Sequence, residues 1–318
     1  MGTILVTGGA GFIGSHVCTR LIERGADVVC LDDFNDYYDP AFKRANVEPF
    51  RSNPRWRLVE GDIRDSDLVE ATYKRFGVTS TVHLAARAGV RPSIRQPRLY
   101  EEVNGTGTLN LLDAARNAGA ATFIFGSSSS VYGINSKVPF SEDDPITCPV
   151  SPYAATKRSN ELMAYAYHHL YGLRVTCLRF FTVYGPRQRP EMAIYRFTER
   201  LARGASVPRY GDGTSARDYT YVDDIVAGTI AALDAALPFE IVNLGGSRTT
   251  SLARLIELVA GALGAAPSVE PHPVQPGDVP ITYADVGKAR RLWAWAPKVP
   301  IEDGIARFVA WYRRERLM

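Results

Sequence analysis

A glycine-rich turn between two apolar runs is the feature that most limits what this chain can fold into. The run Ile4-Leu5-Val6 leads into Gly9-x-Gly11-x-x-Gly14, with Gly8 directly before it. A helical pattern follows, and a second apolar run at residues 28–31 ends in Asp32. Strand, glycine turn, helix, strand and acid in this order are typical of a dinucleotide-binding unit, because glycines let backbone N–H groups approach a pyrophosphate.

Asp32 indicates which dinucleotide is expected. It lies 18 residues past Gly14, close to the spacing of a carboxylate that binds the adenosine ribose. Such a carboxylate repels a 2′-phosphate, so NAD is favoured over NADP. A glycine-rich turn in an unrelated α/β protein is the alternative, and the flanking elements and Asp32 disfavour it.

Apolar runs and helical patterns continue to alternate along the chain. Strands are predicted near residues 56–59, 81–84, 121–125 and 173–181, and helices near 68–76 and 101–118. This alternation predicts an α/β fold with a doubly wound, mostly parallel Rossmann sheet and a smaller α/β C-terminal substrate-binding domain. We expect an NAD-binding domain at residues 1–182, with a return at about 222–244, and a sugar-nucleotide-binding domain at 183–318.

Open α/β sheets bind ligands at the carboxyl ends of their strands, so the residues found there are the candidates for holding the cofactor. The predicted cofactor-binding residues at these ends are Gly8, Gly11, Phe12, Ile13, Gly14, Asp32, Asn35, Asp62, Ile63, Leu84, Ala85 and Ala86.

Composition narrows the class of protein. The chain has 318 residues and a formal net charge of +3, which gives no support for nucleic-acid or membrane-surface binding. Its four cysteines show no paired metal-ligand spacing, so no metal site is predicted, and they fit a reducing compartment. We expect a cytoplasmic enzyme.

A Tyr-x-x-x-Lys pentad suggests the chemistry. Tyr153 and Lys157 follow Ser151-Pro152, which is a favourable start for a helix and would place both side chains on one face. A nearby ammonium stabilises a phenolate, so Lys157 is expected to lower the pKa of Tyr153, which could then act as a base on an alcohol. Taken alone, the pentad also fits a packed ring and a solvated charge.

These motifs together resemble the extended short-chain dehydrogenase/reductase family, in its NAD-dependent epimerase/dehydratase branch. The matching segments are residues 8–14, 127–133, 153–157 and 217–219, and the resemblance covers nearly the whole chain. It implies bound NAD, a Ser/Thr–Tyr–Lys triad and a nucleoside-diphosphate-sugar substrate. It also implies a homodimer built from the helices near residues 101–117 and 153–171.

The resemblance assigns roles to individual residues. It implies that Tyr153 is the base, that Lys157 orients the nicotinamide ribose and that Ser128 hydrogen-bonds the sugar 4-hydroxyl. The further contacts that it implies or makes plausible are Asn104 with the cofactor, Arg217 with a phosphate, Tyr210 with uracil and Asp278 with the ribose.

Two serines bear on the reaction. Sugar-nucleotide 4,6-dehydratases of this branch carry Asp-Glu after the first triad residue, and its decarboxylases also place Glu in this turn. This chain has Ser129 and Ser130 there. Dehydration and decarboxylation are therefore disfavoured, and epimerisation at C4 through a 4-keto sugar remains.

Residues 182–190, 33–39 and 88–91 are similar to segments of the UDP-glucuronate 4-epimerase subgroup. We therefore expect interconversion of UDP-glucuronate and UDP-galacturonate. Ser130, Thr182 and Arg189 are predicted to hold the C6 carboxylate, and Arg91 and Arg187 are further candidates. The alternatives are a UDP-glucose or dual-specificity 4-epimerase, a dehydratase or decarboxylase, and a catalytically inactive sugar-nucleotide-binding protein.

Overall fold

The computed structural model describes residues 2–135, 137–274 and 279–317. Its strands form one large parallel sheet and two small sheets. The strands are β1 (Thr3–Thr7), β2 (Val28–Asp32), β3 (Trp56–Glu60), β4 (Val78–His83), β5 (Thr122–Ser128), β6 (Val175–Phe180), β7 (Thr182–Tyr184), β8 (Val207–Tyr210), β9 (Ala216–Tyr221), β10 (Phe239–Leu244), β11 (Thr249–Ser251) and β12 (Val269–His272).

Helices pack around these strands, and none of those in the described residues is long and apolar enough to cross a bilayer. The helices are α1 (Phe12–Glu23), α2 (Pro40–Val47), α3 (Ser66–Phe76), α4 (Val90–Arg95), α5 (Pro97–Tyr100), α6 (Gly107–Asn117), α7 (Pro152–Tyr171), α8 (Ala193–Ala202), α9 (Val222–Ala235), α10 (Leu252–Leu263), α11 (Gly287–Trp293) and α12 (Ile301–Arg316), with 3₁₀ turns at Glu48–Phe50 and Ser129–Tyr132 and a π-helical turn at Glu101–Thr106.

The large sheet has seven strands in the order β10-β6-β5-β4-β1-β2-β3, and all of its pairings are parallel. The prediction of a doubly wound parallel sheet is confirmed. The chain leaves β1 toward β2 and β3, then crosses back to β4 on the other side, so β1 and β4 flank the switch point. Ligands bind at such a point, beyond the carboxyl ends of the strands.

The C-terminal part adds two small sheets, β11-β9-β7 and β12-β8. It packs directly on the large sheet, because a single buried cluster includes Val6 and Leu178 of that sheet together with Phe308 and Tyr312 of α12. Strand β10 pairs with β6 in register from Phe239↔Val175 to Leu244↔Phe180. The division into domains at residue 182 stays a prediction.

Local signals set the ends of α7. Ser151 has an extended backbone, and its Oγ accepts a hydrogen bond from the Ala154 amide at 3.1 Å. Pro152 occupies the first turn, where its missing N–H costs nothing. Gly172 ends the helix in the left-handed region, at φ 69°. Seven residues of this helix are buried, and Tyr153 lies in its first turn.

A buried ion pair fixes α7 to the sheet. Both oxygens of Glu161 accept from Arg179 of β6, with Nε–Oε1 and Nη2–Oε2 distances of 2.9 Å. Ser127 of β5 donates to Glu161 Oε1 at 2.6 Å, and the Arg179 Nη1 donates to Tyr132 Oη at 3.0 Å. Glu161 and Arg179 are each only 1% exposed. A pair this deep is tolerated because its polar atoms find partners.

Replacing Glu161 by Gln should therefore destabilise the protein strongly. Glutamine keeps the shape of the Glu161 side chain but leaves the Arg179 guanidinium buried without its counter-charge. Breaking a buried ion pair in this way lowers the free energy of unfolding by about 3–5 kcal/mol. Glu199→Gln is the matched control, since Glu199 pairs with the mostly exposed Arg203 at 3.0 Å and such a pair contributes about 0–1 kcal/mol. Thermal and urea unfolding should separate the two variants. Equal effects would mean that this buried pair does not hold α7 in place.

Candidate active site

A cleft of about 440 Å³ runs along the carboxyl ends of the parallel strands. Most of the predicted site residues line it, although they come from distant parts of the sequence. Those lining it are Gly8, Gly11, Phe12, Ile13, Gly14, Asp32, Asn35, Asp62, Ile63, Leu84, Ala85, Ala86, Ser128, Ser130, Tyr153, Lys157, Thr182 and Arg189.

The glycine turn forms a cradle at the start of α1. Gly8 has a φ of +67°, and a Cβ there would meet the Ala85 amide nitrogen at 2.8 Å. A Cβ on Gly14 would lie 2.1 Å from the Gly8 carbonyl oxygen. Gly11 caps α1 without a side-chain hydrogen bond, so the helix amides remain available to an anion. This close backbone approach and open helix terminus fit the pyrophosphate of NAD.

Asp32 occupies the end of β2, as expected for the ribose-binding acid. It is buried, its Oδ2 accepts from the Ala10 amide at 3.1 Å, and its Oδ1 accepts from the Phe34 amide at 2.9 Å. Lys43 donates to Oδ1 at 3.3 Å. Burial raises the pKa of Asp32, and the Lys43 ammonium opposes that rise. Sequence reasoning missed Lys43, because its position in the middle of α2 carries no signal of the contact.

The triad residues meet at the ends of β5 and α7. Lys157 is buried, and its Nζ donates to the Gly126 carbonyl at 2.6 Å. Burial lowers the Lys157 pKa to about 8, against the opposing charge of Glu161. Ser128 Oγ accepts from the Ser130 amide and donates to Ser130 Oγ, both at 3.1 Å. Tyr153 lies half-buried in the same wall of the cleft.

The expected effect of Lys157 on Tyr153 was wrong for this structure. Burial raises the pKa of Tyr153 above its usual value, and the groups that act in the opposite direction are the Ser128 hydroxyl and the Arg189 guanidinium. Lys157 directs its ammonium to the Gly126 carbonyl instead. The spacing correctly placed both residues on one helical face, but it could not show where the ammonium finds its acceptor.

The far end of the cleft carries hydroxyls and a guanidinium. Ser130 lies in the 3₁₀ turn after β5, Thr182 begins β7, and Arg189 follows β7. Arg189 lies over the Tyr37 ring at 5.7 Å and pairs with Glu191, with Nε–Oε1 3.0 Å. Charge and hydroxyl donors at one end can hold a carboxylate on a bound molecule.

Of the three arginines proposed for that role, Arg189 lines the cleft. Arg187 lies in the same turn but outside the lining of the cleft, and its Nη1 reaches Thr19 Oγ1 of α1 at 3.4 Å, so its contact with a carboxylate stays an untested prediction. Arg91 lies with its guanidinium 5.3 Å from the centre of the Tyr210 ring.

Several other predicted residues are placed outside the lining of the cleft. Asn104 is buried, and its amide bonds the backbone of Arg87 at 2.8 and 3.0 Å and Thr156 Oγ1 at 3.2 Å, so it joins the loop after β4 to α7. Tyr210 lies in β8, and Arg217 Nη1 donates to the Ala216 carbonyl at 2.9 Å. Their predicted ligand contacts stay predictions. Asp278 lies outside the described residues.

Two tyrosines that were given no role support the loop after β4. Tyr37 Oη donates to the Ala88 carbonyl at 2.8 Å, and Tyr100 Oη donates to the same oxygen at 2.6 Å. Tyr37 also lines the cleft beside Arg189. Tyr37 and Tyr100 lie 51 and 12 residues from Ala88 in the sequence, so local sequence patterns could not reveal these contacts.

Comparison with known proteins gives a consistent family. The family model described as GDP-mannose 4,6 dehydratase matches residues 5–308. The UDP-glucuronate 4-epimerase of Thermodesulfobacterium geofontis is 41% identical over 312 residues, which cover 98% of this chain and 96% of the relative.

Two solved structures share the whole fold. The UDP-glucuronic acid 4-epimerase from Bacillus cereus, in complex with UDP-glucuronic acid and NAD, has a TM-score of 0.93 at 35% identity, and the match covers 98% of this chain and 99% of that one. The dTDP-glucose 4,6-dehydratase DesIV from Streptomyces venezuelae, with NAD bound, has a TM-score of 0.92 at 37% identity, and covers 99% and 98%. This chain therefore belongs to the NAD-dependent epimerase/dehydratase branch of the extended short-chain dehydrogenase/reductase family.

Proposed function

We propose that this protein is a UDP-glucuronate 4-epimerase, which interconverts UDP-glucuronate and UDP-galacturonate through a transient 4-keto sugar. The observation that carries the proposal is the distribution of charge in the cleft. The carboxylates that line its described part are Asp32, Asp33 and Asp62, at the ends of β2 and β3, where the adenosine ribose is expected. The Arg189 guanidinium lines the cleft after β7, together with the hydroxyls of Ser130 and Thr182.

This distribution separates epimerisation from dehydration. Loss of water across C5 and C6 needs a base at C5, and dehydratases of this branch carry acids in the turn after β5. That turn here begins with Ser129 and Ser130, and both line the cleft. With hydroxyls in place of carboxylates, nothing in the turn removes the C5 proton. The 4-keto sugar can then only recover its hydride.

Tyr153 moves the proton in the proposed reaction. Its phenolate takes the proton from O4, and the same oxygen returns it after the sugar has turned over about its phosphate linkage. NAD, which the glycine turn and Asp32 would hold, would supply the redox chemistry as the acceptor and later the donor of the C4 hydride. Ser128 stabilises the phenolate and holds O4, and the buried Lys157 adds positive charge to the same wall.

Ser130, Thr182 and Arg189 form the proposed carboxylate clamp, and holding the C6 carboxylate has a chemical purpose. A 4-keto uronate is a β-keto acid, which loses CO₂ when the bond from C5 to C6 aligns with the carbonyl π-system. Hydrogen bonds from Ser130, Thr182 and Arg189 would hold the carboxylate away from that alignment. Glu191 pairs with the Arg189 guanidinium, with an Nε–Oε1 distance of 3.0 Å, so a substrate carboxylate would compete with this side-chain carboxylate.

Replacing Arg189 by Gln should reduce turnover of UDP-glucuronate about 10- to 100-fold in kcat/KM, because a hydrogen bond to a charged group contributes about 1.5–3 kcal/mol. UDP-glucose has no carboxylate at C6, so its turnover should change little. Chromatography and mass spectrometry of both products will measure this, and the uronate product should keep the substrate's mass.

Glu191→Gln is the matched control for that experiment. It removes the competing carboxylate and leaves the guanidinium, so KM for UDP-glucuronate should stay equal or fall. An equal loss on both sugars in the Arg189 variant would contradict the clamp. A product lighter than the substrate by the mass of water or of CO₂ would show that the enzyme catalyses dehydration or decarboxylation and would contradict the proposed epimerisation.

Ser128→Ala should move the acidic limb of the pH–rate profile to higher pH. The Ser128 hydroxyl lowers the pKa of Tyr153, so its removal raises a pKa that burial already holds above the usual value. We expect the acidic limb to shift by about one to two pH units, since a hydrogen bond to a charged group contributes about 1.5–3 kcal/mol. Ser129→Ala, in the same turn, should leave the limb in place. An unmoved limb in the Ser128 variant would exclude Tyr153 as the titrating base.

We also infer that the protein forms a homodimer through α6 and α7. These helices pack together, and they expose large apolar side chains to solvent. The exposed ones are Leu109, Leu162, Met163, Tyr165, Leu170 and Tyr171, with Leu170 66% exposed. A second copy would cover an apolar face of this kind.

Leu162→Glu combined with Leu170→Glu should shift the protein from dimer to monomer in light scattering coupled to size-exclusion chromatography. Two buried carboxylates at an interface are strongly unfavourable. Ile134→Glu is the control, because Ile134 is 78% exposed but lies in the segment between β5 and α7. Retention of the dimer in the double variant would place the interface elsewhere.

A further inference from the structure

A second cavity of about 510 Å³ lies behind the turn that carries Arg189. Helices α1, α2 and α12 border it, together with Pro186 and Arg187 of the turn. Arg189 lines the first cleft and Arg187 lines this cavity, although they are two positions apart. The two side chains of one turn therefore line different cavities.

Arg187 is held in this cavity by an unusual backbone. Its φ is +64°, a left-handed conformation that costs about 1–2 kcal/mol for a residue with a Cβ. Its guanidinium reaches Thr19 Oγ1 at 3.4 Å and has no ion pair among the residues that the structure describes. Burial lowers the pKa of Arg187. A strained backbone thus positions a guanidinium that makes one long hydrogen bond, to Thr19, within the described part of the chain and can offer its other N–H groups to an anion.

Helix α12 brings further arginines to the same cavity. Arg316 lies over the Phe42 ring at 4.0 Å, and its buried Nε has no hydrogen-bond partner in the described part of the chain. Arg314 pairs with Glu315 at 2.9 Å, and Arg307 lies over the Tyr221 ring at 5.5 Å. Glu315 is the carboxylate that lines the cavity, so positive charge exceeds negative charge there.

His16 completes the wall without adding charge. Its Nε2 lies 2.9 Å from the Pro186 carbonyl, which can only accept, so Nε2 carries the proton and Nδ1 is an acceptor. Burial, followed by the charge of Arg187, lowers the His16 pKa to about 4, so the ring is neutral at pH 7. A neutral acceptor next to guanidinium groups suits a ligand that carries hydroxyl groups as well as an anion.

We propose that this cavity is a second anion-binding site, distinct from the cleft, that binds a phosphate-bearing small molecule through Arg187 and Arg316. Guanidinium groups offer paired N–H donors that match phosphate oxygens. Binding would bring phosphate oxygens to both guanidinium groups and neutralise the excess positive charge that lines the cavity. The same chemistry fits free phosphate and the phosphate of a nucleotide.

Isothermal titration of the NAD-loaded protein with inorganic phosphate, and separately with ADP, tests the proposal at about 0.15 M salt, where weak surface attraction is screened. We expect saturable binding that is at least tenfold weaker in Arg187→Asn and in Arg316→Gln. Asn tolerates the left-handed backbone, so Arg187→Asn adds little strain. Arg316 lies on a different element, so a folding defect in one variant leaves the other as a test.

Arg217→Gln is the matched control, because Arg217 is the predicted phosphate contact of the substrate site. The part of the binding that is lost in the Arg187 and Arg316 variants should be retained in it. ADP binding tenfold tighter than phosphate would identify a nucleotide site, and equal affinities would identify a site for the phosphate group alone. Loss of binding in the Arg217 variant with retention in the other two, or no saturable binding below about 20 mM, would overturn the proposal.

Discussion

The buried pair between Glu161 and Arg179 is the interaction on which the geometry of the site depends. Glu161 lies one helical turn after Lys157, on the face of α7 that meets the sheet. Through Ser127 it bonds to β5, through Arg179 to β6, and through Tyr132 and its 2.7 Å bond to Asn243 it is linked to β10. The helix that carries the candidate base is therefore fixed to three adjacent strands by hydrogen bonds with defined directions, which apolar packing alone does not supply.

Much of the fold and one end of the site could be predicted from sequence, because they depend on local backbone requirements. Gly8 and Gly14 must lack a Cβ in any fold that closes this turn, and Ser151 with Pro152 starts a helix whatever packs against it. Side-chain partners across the sheet could not be predicted. Lys43 reaches Asp32 only because α2 folds back on β2, and Lys157 turns to Gly126 only because β5 presents that carbonyl.

The substrate end of the cleft was predictable only in part, for a related reason. Arg187 and Arg189 are the same residue type and lie close together in sequence, five and seven residues after Thr182. The left-handed backbone at Arg187 directs its side chain to α1, and Arg189 then faces the cleft. The backbone conformation at Arg187 thus distinguishes the environments of the two arginines, and the pattern of charge or hydrophobicity in the sequence does not predict that conformation.

The fold itself does not decide the reaction, since an epimerase and a dehydratase resemble this chain almost equally, with TM-scores of 0.93 and 0.92. In the reaction proposed above, oxidation at C4 depends on Tyr153 and NAD. The fate of the resulting ketone would then depend on the groups that face C5 and C6. Ser129 and Ser130 provide no base there, and Arg189 provides a positive charge. If Arg189 holds a carboxylate at C6, as proposed, and the turn after β5 offers no base for the C5 proton, reduction of the ketone from either face is the remaining path, so the site and not the fold decides the reaction.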